Sequence, residues 1–157
     1  MNAKIIFISL IAVLLAAFVY VLTRHAIPSV LVCTSKVNIA LHTQKEGVNI
    51  EGEIMQVLRI SSGKGGIYSQ VGTLDVNGKL YAVNRATTLT FLGQESDGYW
   101  RTRRSAVIKN VNDDLPDKIT DLLMTRQPLF YYKIMHIASN VYGLRDLRRT
   151  IMVCRAK

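Results

Sequence analysis

Cys33 and Cys154 are the only thiols in the chain. Cys33 falls on what reads as the first strand of a β domain and Cys154 on the last, and such strands commonly lie side by side. Outside the cytoplasm two adjacent thiols oxidise, so a Cys33–Cys154 disulfide is expected. The alternative is a pair of buried thiols acting as small apolar side chains. Other reactive residues do not converge. His25, His42 and His136 share no ligand spacing with a cysteine or carboxylate, so no metal is expected. There is no G-x-S-x-G elbow. The SGKGG segment, 62–66, lacks the Walker spacing and the hydroxyl residue after its lysine, and reads as a hairpin turn. Asp113, Asp114, Asp117 and Asp121 surround a helix start, where acids cap and solubilise. The expectation is therefore no catalytic residue, no cofactor and no enzyme activity; a hydrolase without a standard motif is the weakest reading.

Basic residues raise a different question. Trp100, Arg101, Arg103 and Arg104 combine an aromatic with cations, a pairing that holds single-stranded nucleic acid. On a strand, however, Trp100 and Arg101 point to opposite faces, which predicts a buried tryptophan beside a solvated arginine face and no direct nucleic-acid partner. Arg145, Arg148 and Arg149 read as an exposed edge that charge protects from aggregation.

The elements that must position these residues are mostly strands. VLVCTSKVNIAL, 30–41, is rich in β-branched residues, and 48–61 places Ile54, Leu58 and Ile60 on one parity facing a core. Gly52 suggests a bulge. Strands follow at 67–76 and 79–93, joined at Asn77-Gly78, a pair that tolerates the positive φ angles of a tight hairpin. Further strands are expected at 99–111, 129–138 and 141–156, with Ser139-Asn140 as a turn. Between them Leu115, Ile119, Leu122 and Leu123 fall on one helical face. Asp113 and Asp114 stand at the N-cap, Pro116 in the first turn, Arg126 at the C-terminal end and Pro128 as the stop. The fold class is α+β: an N-terminal transmembrane helix, then a mostly antiparallel β domain of seven or eight strands with one short amphipathic helix.

Ahead of that domain, Ile5 to Leu22 is eighteen residues without a charge. As a helix it is roughly 27 Å long, enough to cross a hydrocarbon core of about 30 Å. Ala26 follows Arg24 too closely for a good cleavage site, and Val32 before Cys33 is too bulky for lipoprotein processing, so the segment reads as an uncleaved signal anchor. The division is 1–4 cytoplasmic tail, 5–23 transmembrane anchor and 24–157 periplasmic β domain. Local charge on the two sides nearly balances, with Lys4 facing Arg24 and Lys36, so orientation rests on the domain's length. The whole chain carries a net charge of +9, and +7 without Lys4 and Arg24; a basic surface beside an anionic membrane accounts for it.

The anchor, the first strand in LVCTSKVNI, the hairpin in DVNGKLYAVNRATTLTF and the C-terminal YYKIMHIASNVYGLRDLRRTIMVC together resemble the FidL-like membrane proteins of enteric bacteria. The plan is similar to accessory proteins of the ToxS and VtrC type. That resemblance implies a bacterial inner-membrane protein whose periplasmic domain pairs with a membrane-bound, winged-helix regulator of the ToxR kind. It also implies a lipocalin-like barrel, shared with the partner or incomplete without it, that takes an amphipathic small molecule. No ligand residue carries over. The second reading is a stand-alone envelope protein that binds a lipid surface or assists assembly.

Overall fold

The computed structural model describes residues 3–25, 30–44, 47–61, 63–123 and 127–156, with side chains in the first helix described from 7 to 20. The first element, α1, runs Ala3–His25. Its described side chains are exposed on every side, Phe7, Leu10, Val13, Leu14 and Phe18 among them. Among the described residues no helix is long and apolar enough to cross a membrane. Ala26 and Pro28 lie outside the described residues.

Among the described residues nine strands follow: β1 Val30–Thr43, β2 Val48–Ser61, β3 Gly65–Val76, β4 Lys79–Gln94, β5 Trp100–Arg104, β6 Ile108–Lys109, β7 Leu129–Ala138, β8 Val141–Arg145 and β9 Thr150–Ala156. A second helix, α2, spans Asp117–Leu123 between β6 and β7. Every strand pairing is antiparallel. Strands β1 to β5 and β7 to β9 each pair with the next, and β9 returns to β1, so eight strands close into an up-and-down barrel.

The closure is uneven. Strand β1 pairs with β2 along its whole length, but with β9 only at Cys33↔Ala156 and Thr34↔Arg155. From Ser35 to Thr43 the outer edge of β1 carries no strand among the described residues. The matching edge of β4 is covered instead. There β6 pairs with Arg85 and Ala86, and the amides of Ser105, Asn110 and Asp114 donate to the carbonyls of Thr88, Asn84 and Ala82.

Alternation of side chains builds two interior clusters. The lower one, near the start of β1, gathers Leu31, Cys33, Leu58, Ile60, Leu89, Leu144, Met152 and Cys154. The upper one gathers Ile50, Ile54, Leu74 and Val83 under Leu115 and Ile119. Burying each such side chain stabilises the fold by about 1.5–3 kcal/mol. Ile54, Leu58 and Ile60 face inward as their shared parity predicts, while Met55 is half exposed.

Several expectations need correction. The expected strand 99–111 breaks after Arg104, and β6 pairs with a different part of β4. The expected strand 141–156 folds back on itself at 146–149. Arg148 and Arg149 therefore sit in a turn, not on a sheet edge, and β8 and β9 are each paired on both sides. Gly52 makes no bulge, since its pairings with Ile39 and Leu74 stay in register. It has a φ of 152°, and a Cβ there would run into the Thr73 carbonyl, so glycine lets β2 and β3 approach closely. At the β3–β4 turn Asn77 and Gly78 take φ angles of 54° and 83°, both positive as a tight hairpin requires.

Among the described residues the helix covers Asp117–Leu123. Leu115 and Ile119 are buried and Leu122 and Leu123 half-buried, the face that the spacing predicts. Asp113 and Asp114 do not cap it. The Asn84 amide donates to Asp113 and the Ala82 amide to Asp114, so these carboxylates bind the loop to β4. Arg126 lies outside the described residues, as does Ser62 of the β2–β3 turn.

Candidate functional site: the barrel cavity

Cys33 and Cys154 form a disulfide across the β1–β9 seam, with their Cα atoms 5.4 Å apart. Both are buried in the lower cluster. Cys33 pairs with Ala156, two residues beyond Cys154, so the covalent link lies beside the two residue pairs that, among the described residues, join the first strand to the last.

Above the disulfide the barrel holds a cavity of about 710 Å³. Small-molecule sites generally occupy about 300–1,000 Å³. Its walls are mainly apolar, with Ile54, Leu74, Val83, Leu89, Leu144 and Met152 contributing. A few polar groups interrupt them. Tyr68 and Gln70 enter from β3, Arg104 from β5 and Tyr132 from β7. Gln70 Nε2 donates to the Tyr68 hydroxyl at 3.2 Å. The Arg104 guanidinium lies 4.9 Å from the Phe130 ring centroid.

Burial pushes the Tyr68 phenol far above its ordinary value, outweighing the opposing Gln70 hydrogen bond and the Arg104 charge. Burial also raises Tyr132, again against the pull of Arg104. Both phenols therefore remain protonated across the physiological range, so each presents a hydroxyl to the cavity. A guanidinium and two phenols in an apolar chamber can hold the polar end of a molecule whose body is hydrocarbon. The cavity is also lined by Asn38 and Leu41 of β1, Leu122 and Leu123 of α2, and Asp146 and Arg149 of the β8–β9 turn.

A second polar group closes the top. Arg85 faces inward from β4 and is 3% exposed. Its Nε and Nη2 engage the two carboxylate oxygens of Asp113, the former at 2.7 Å, and Nη1 donates to Thr120 of α2. The Asp113 side chain is fully buried. Desolvation works against its charge, but the hydrogen bonds from Arg85 and from the Asn84 amide outweigh it and hold the carboxyl below the usual range. The pair ties α2 and its preceding loop over the upper cluster.

The structure thus brings together the expected cysteines and leaves the other singled-out residues apart. His42 and His136 are exposed, and His136 lies against Tyr142. Trp100 is half-buried and stacks on Phe91 at 5.0 Å, while Arg101 and Arg103 are exposed on the opposite face, as strand alternation predicts. Arg104, by contrast, turns inward. No motif or spacing in the sequence singles out Tyr68, Gln70, Arg85 or Tyr132, and Arg104 reads there as part of a solvated arginine face. Arg85 did carry a signal, because it shares parity with Val83 and Leu89, and an arginine on an apolar parity needs a buried partner.

Comparison with known proteins finds no matching family model, no matching curated protein and no matching solved structure.

Proposed function

We propose that this chain is a membrane-anchored, non-enzymatic binding subunit whose barrel holds an amphipathic small molecule with an anionic or hydrogen-bonding end. The observation that carries this reading is the cavity itself: about 710 Å³, apolar walls, and Tyr68, Gln70, Arg104 and Tyr132 turned inward. The apolar body of the ligand would lie along Ile54, Leu74 and Leu144, its polar end against the phenols and guanidinium.

The anchor belongs to the same proposal. An uncharged apolar run of eighteen residues, with described side chains exposed all round the helix, suits lipid better than water. The domain then lies in the periplasm, where a disulfide persists. A bound state is then relayed through a partner that distinguishes occupied from empty barrel. By its resemblance to FidL-like, ToxS-type and VtrC-type proteins, that partner is a membrane-bound winged-helix regulator. The edge of β1 from Ser35 to Thr43, which carries no strand among the described residues, is where a partner strand can add.

The test is binding by the purified full chain in lipid nanodiscs, using a fluorescent fatty acid as probe. Saturable one-to-one binding is expected, weakened at least tenfold by Arg104→Leu and less by Tyr68→Phe. Non-saturable uptake, or affinity indifferent to both changes, would overturn the cavity reading. Capture of no regulator by a chain that is fully stable alone would overturn the accessory role.

A further inference from the structure

The β8–β9 turn reads RDLRR, Arg145 to Arg149. The Asp146 side chain accepts the amides of Arg148 and Arg149 at 2.7 Å each. Those two amides hold its carboxyl below the usual range. The turn so formed leaves Leu147 61% exposed at its tip. Arg145, Arg148 and Arg149 are exposed around it. The basic surface continues along the outer wall, where Arg145 pairs in register with Lys133 of β7, and Arg101 and Arg103 of β5 pair with Tyr131 and Leu129. Strands β5, β7, β8 and β9 contain no acidic residue. Asp146 is engaged with the turn, and the β4–β5 loop carries Glu95 and Asp97, the latter accepting the Tyr99 amide. Asp146 and Arg149 of the same turn also line the cavity, with half-exposed Ile151.

We propose that this turn, at the end of β9 away from Val30 where the anchor enters β1, is a lipid-contacting finger that lays the barrel side-on against an anionic bilayer. An exposed leucine among arginines fits the boundary between acyl chains and phosphate headgroups, where the apolar tip is buried and the cations meet anions. The sign of the charge selects anionic over zwitterionic lipid. An amphipathic ligand then moves between bilayer and barrel without crossing bulk water. The inference rests on the membrane-anchored binding reading for its purpose, but not for its test.

The experiment places a reporter at the tip. The full chain carrying Trp100→Phe and Leu147→Trp has its single tryptophan in the turn. It is reconstituted into liposomes of phosphatidylglycerol or phosphatidylcholine with brominated acyl chains, which quench on contact. Blue-shifted, quenched emission is expected in phosphatidylglycerol and much less in phosphatidylcholine. Adding Arg145→Glu and Arg148→Glu, which spare the cavity-lining Arg149, should reduce the contacting population by at least about fivefold for each arginine removed. Water-like, unquenched emission in both lipids overturns the proposal, as does protection of the tip only when another protein is bound. Non-reducing mass spectrometry checks the Cys33–Cys154 bond in each variant. If the tryptophan variant misfolds, amide exchange at 145–149 in the native chain on the two lipids decides the matter in the same way. Alkaline extraction reports separately on the anchor: a chain that is released, yet whose tip is quenched on adding vesicles, keeps the finger and loses the span.

Discussion

The lower and upper parts of the barrel are held by opposite means. Below, the seam between β1 and β9 has two residue pairs, and a disulfide set among Leu31, Leu58 and Met152 secures it. Above, β9 no longer reaches β1. The interior there is closed by α2, held through one buried ion pair, Arg85–Asp113, and by Leu115 and Ile119 resting on Ile50 and Leu74. The lower closure acts chiefly by restricting the unfolded chain. The upper one depends on charges that must find each other in a dry interior, and each is a liability without its partner. A cavity between such closures has a fixed floor and a roof that is held by polar contacts.

Three measurements can break or sharpen that contrast. The largest effect is expected at the floor. Replacing Cys33 and Cys154 together by serine removes a cross-link spanning 121 residues, which the chain-entropy model values at about 5 kcal/mol. Denaturant unfolding should show that loss, and amide exchange should rise first along β1 and β9. Exchange rising first in α2 would mean that the lower closure does not depend on the disulfide.

At the roof, Asp113→Asn leaves the Arg85 guanidinium buried without its counter-charge. The expected loss is about 3–5 kcal/mol, with exchange rising in α2 and 110–116 while the disulfide stays intact. A double replacement, Arg85→Met with Asp113→Leu, should recover much of it, because no unpaired charge remains. If the double variant is as unstable as the single one, the pair contributes more than mutual neutralisation.

The smallest effect is the response to acid. Asp113 has a folded-state pKa below its unfolded value near 3.8. The unfolded chain therefore binds the proton more readily, and stability falls as pH falls. The contribution is fully present above about pH 4 and is lost below it, as pH approaches the folded-state value. Stability of the native chain and of Asp113→Asn, followed between pH 7 and 2, should converge at the acid end. Curves that stay parallel would remove Asp113 from the acid response.

How far the sequence foretold this depends on the range of each interaction. The β1–β4 strands follow from local alternation, and Asn77-Gly78 marks its turn through backbone preference alone. The disulfide is legible from strand order, which sets the first strand beside the last. The turn at 146–149 was missed because it contains no glycine or proline, and Asp146 shapes it with its side chain. The roles of Asp113 and Asp114 were misread because their partners lie on β4, about thirty residues earlier. Gln70, Arg104 and Tyr132 converge only once the barrel has closed and set their register, information that no local window contains.

The seam also sets a clock on biosynthesis. Cys33 is made 121 residues before Cys154, an interval of roughly 6–24 s at ordinary rates of chain elongation. For that interval the first four strands can zip up as consecutive hairpins, but the cylinder cannot shut. Cys33 waits on an edge with β2 on one side and nothing on the other. Whatever oxidises this thiol too early, with a foreign partner, competes with a strand that has not yet been synthesised.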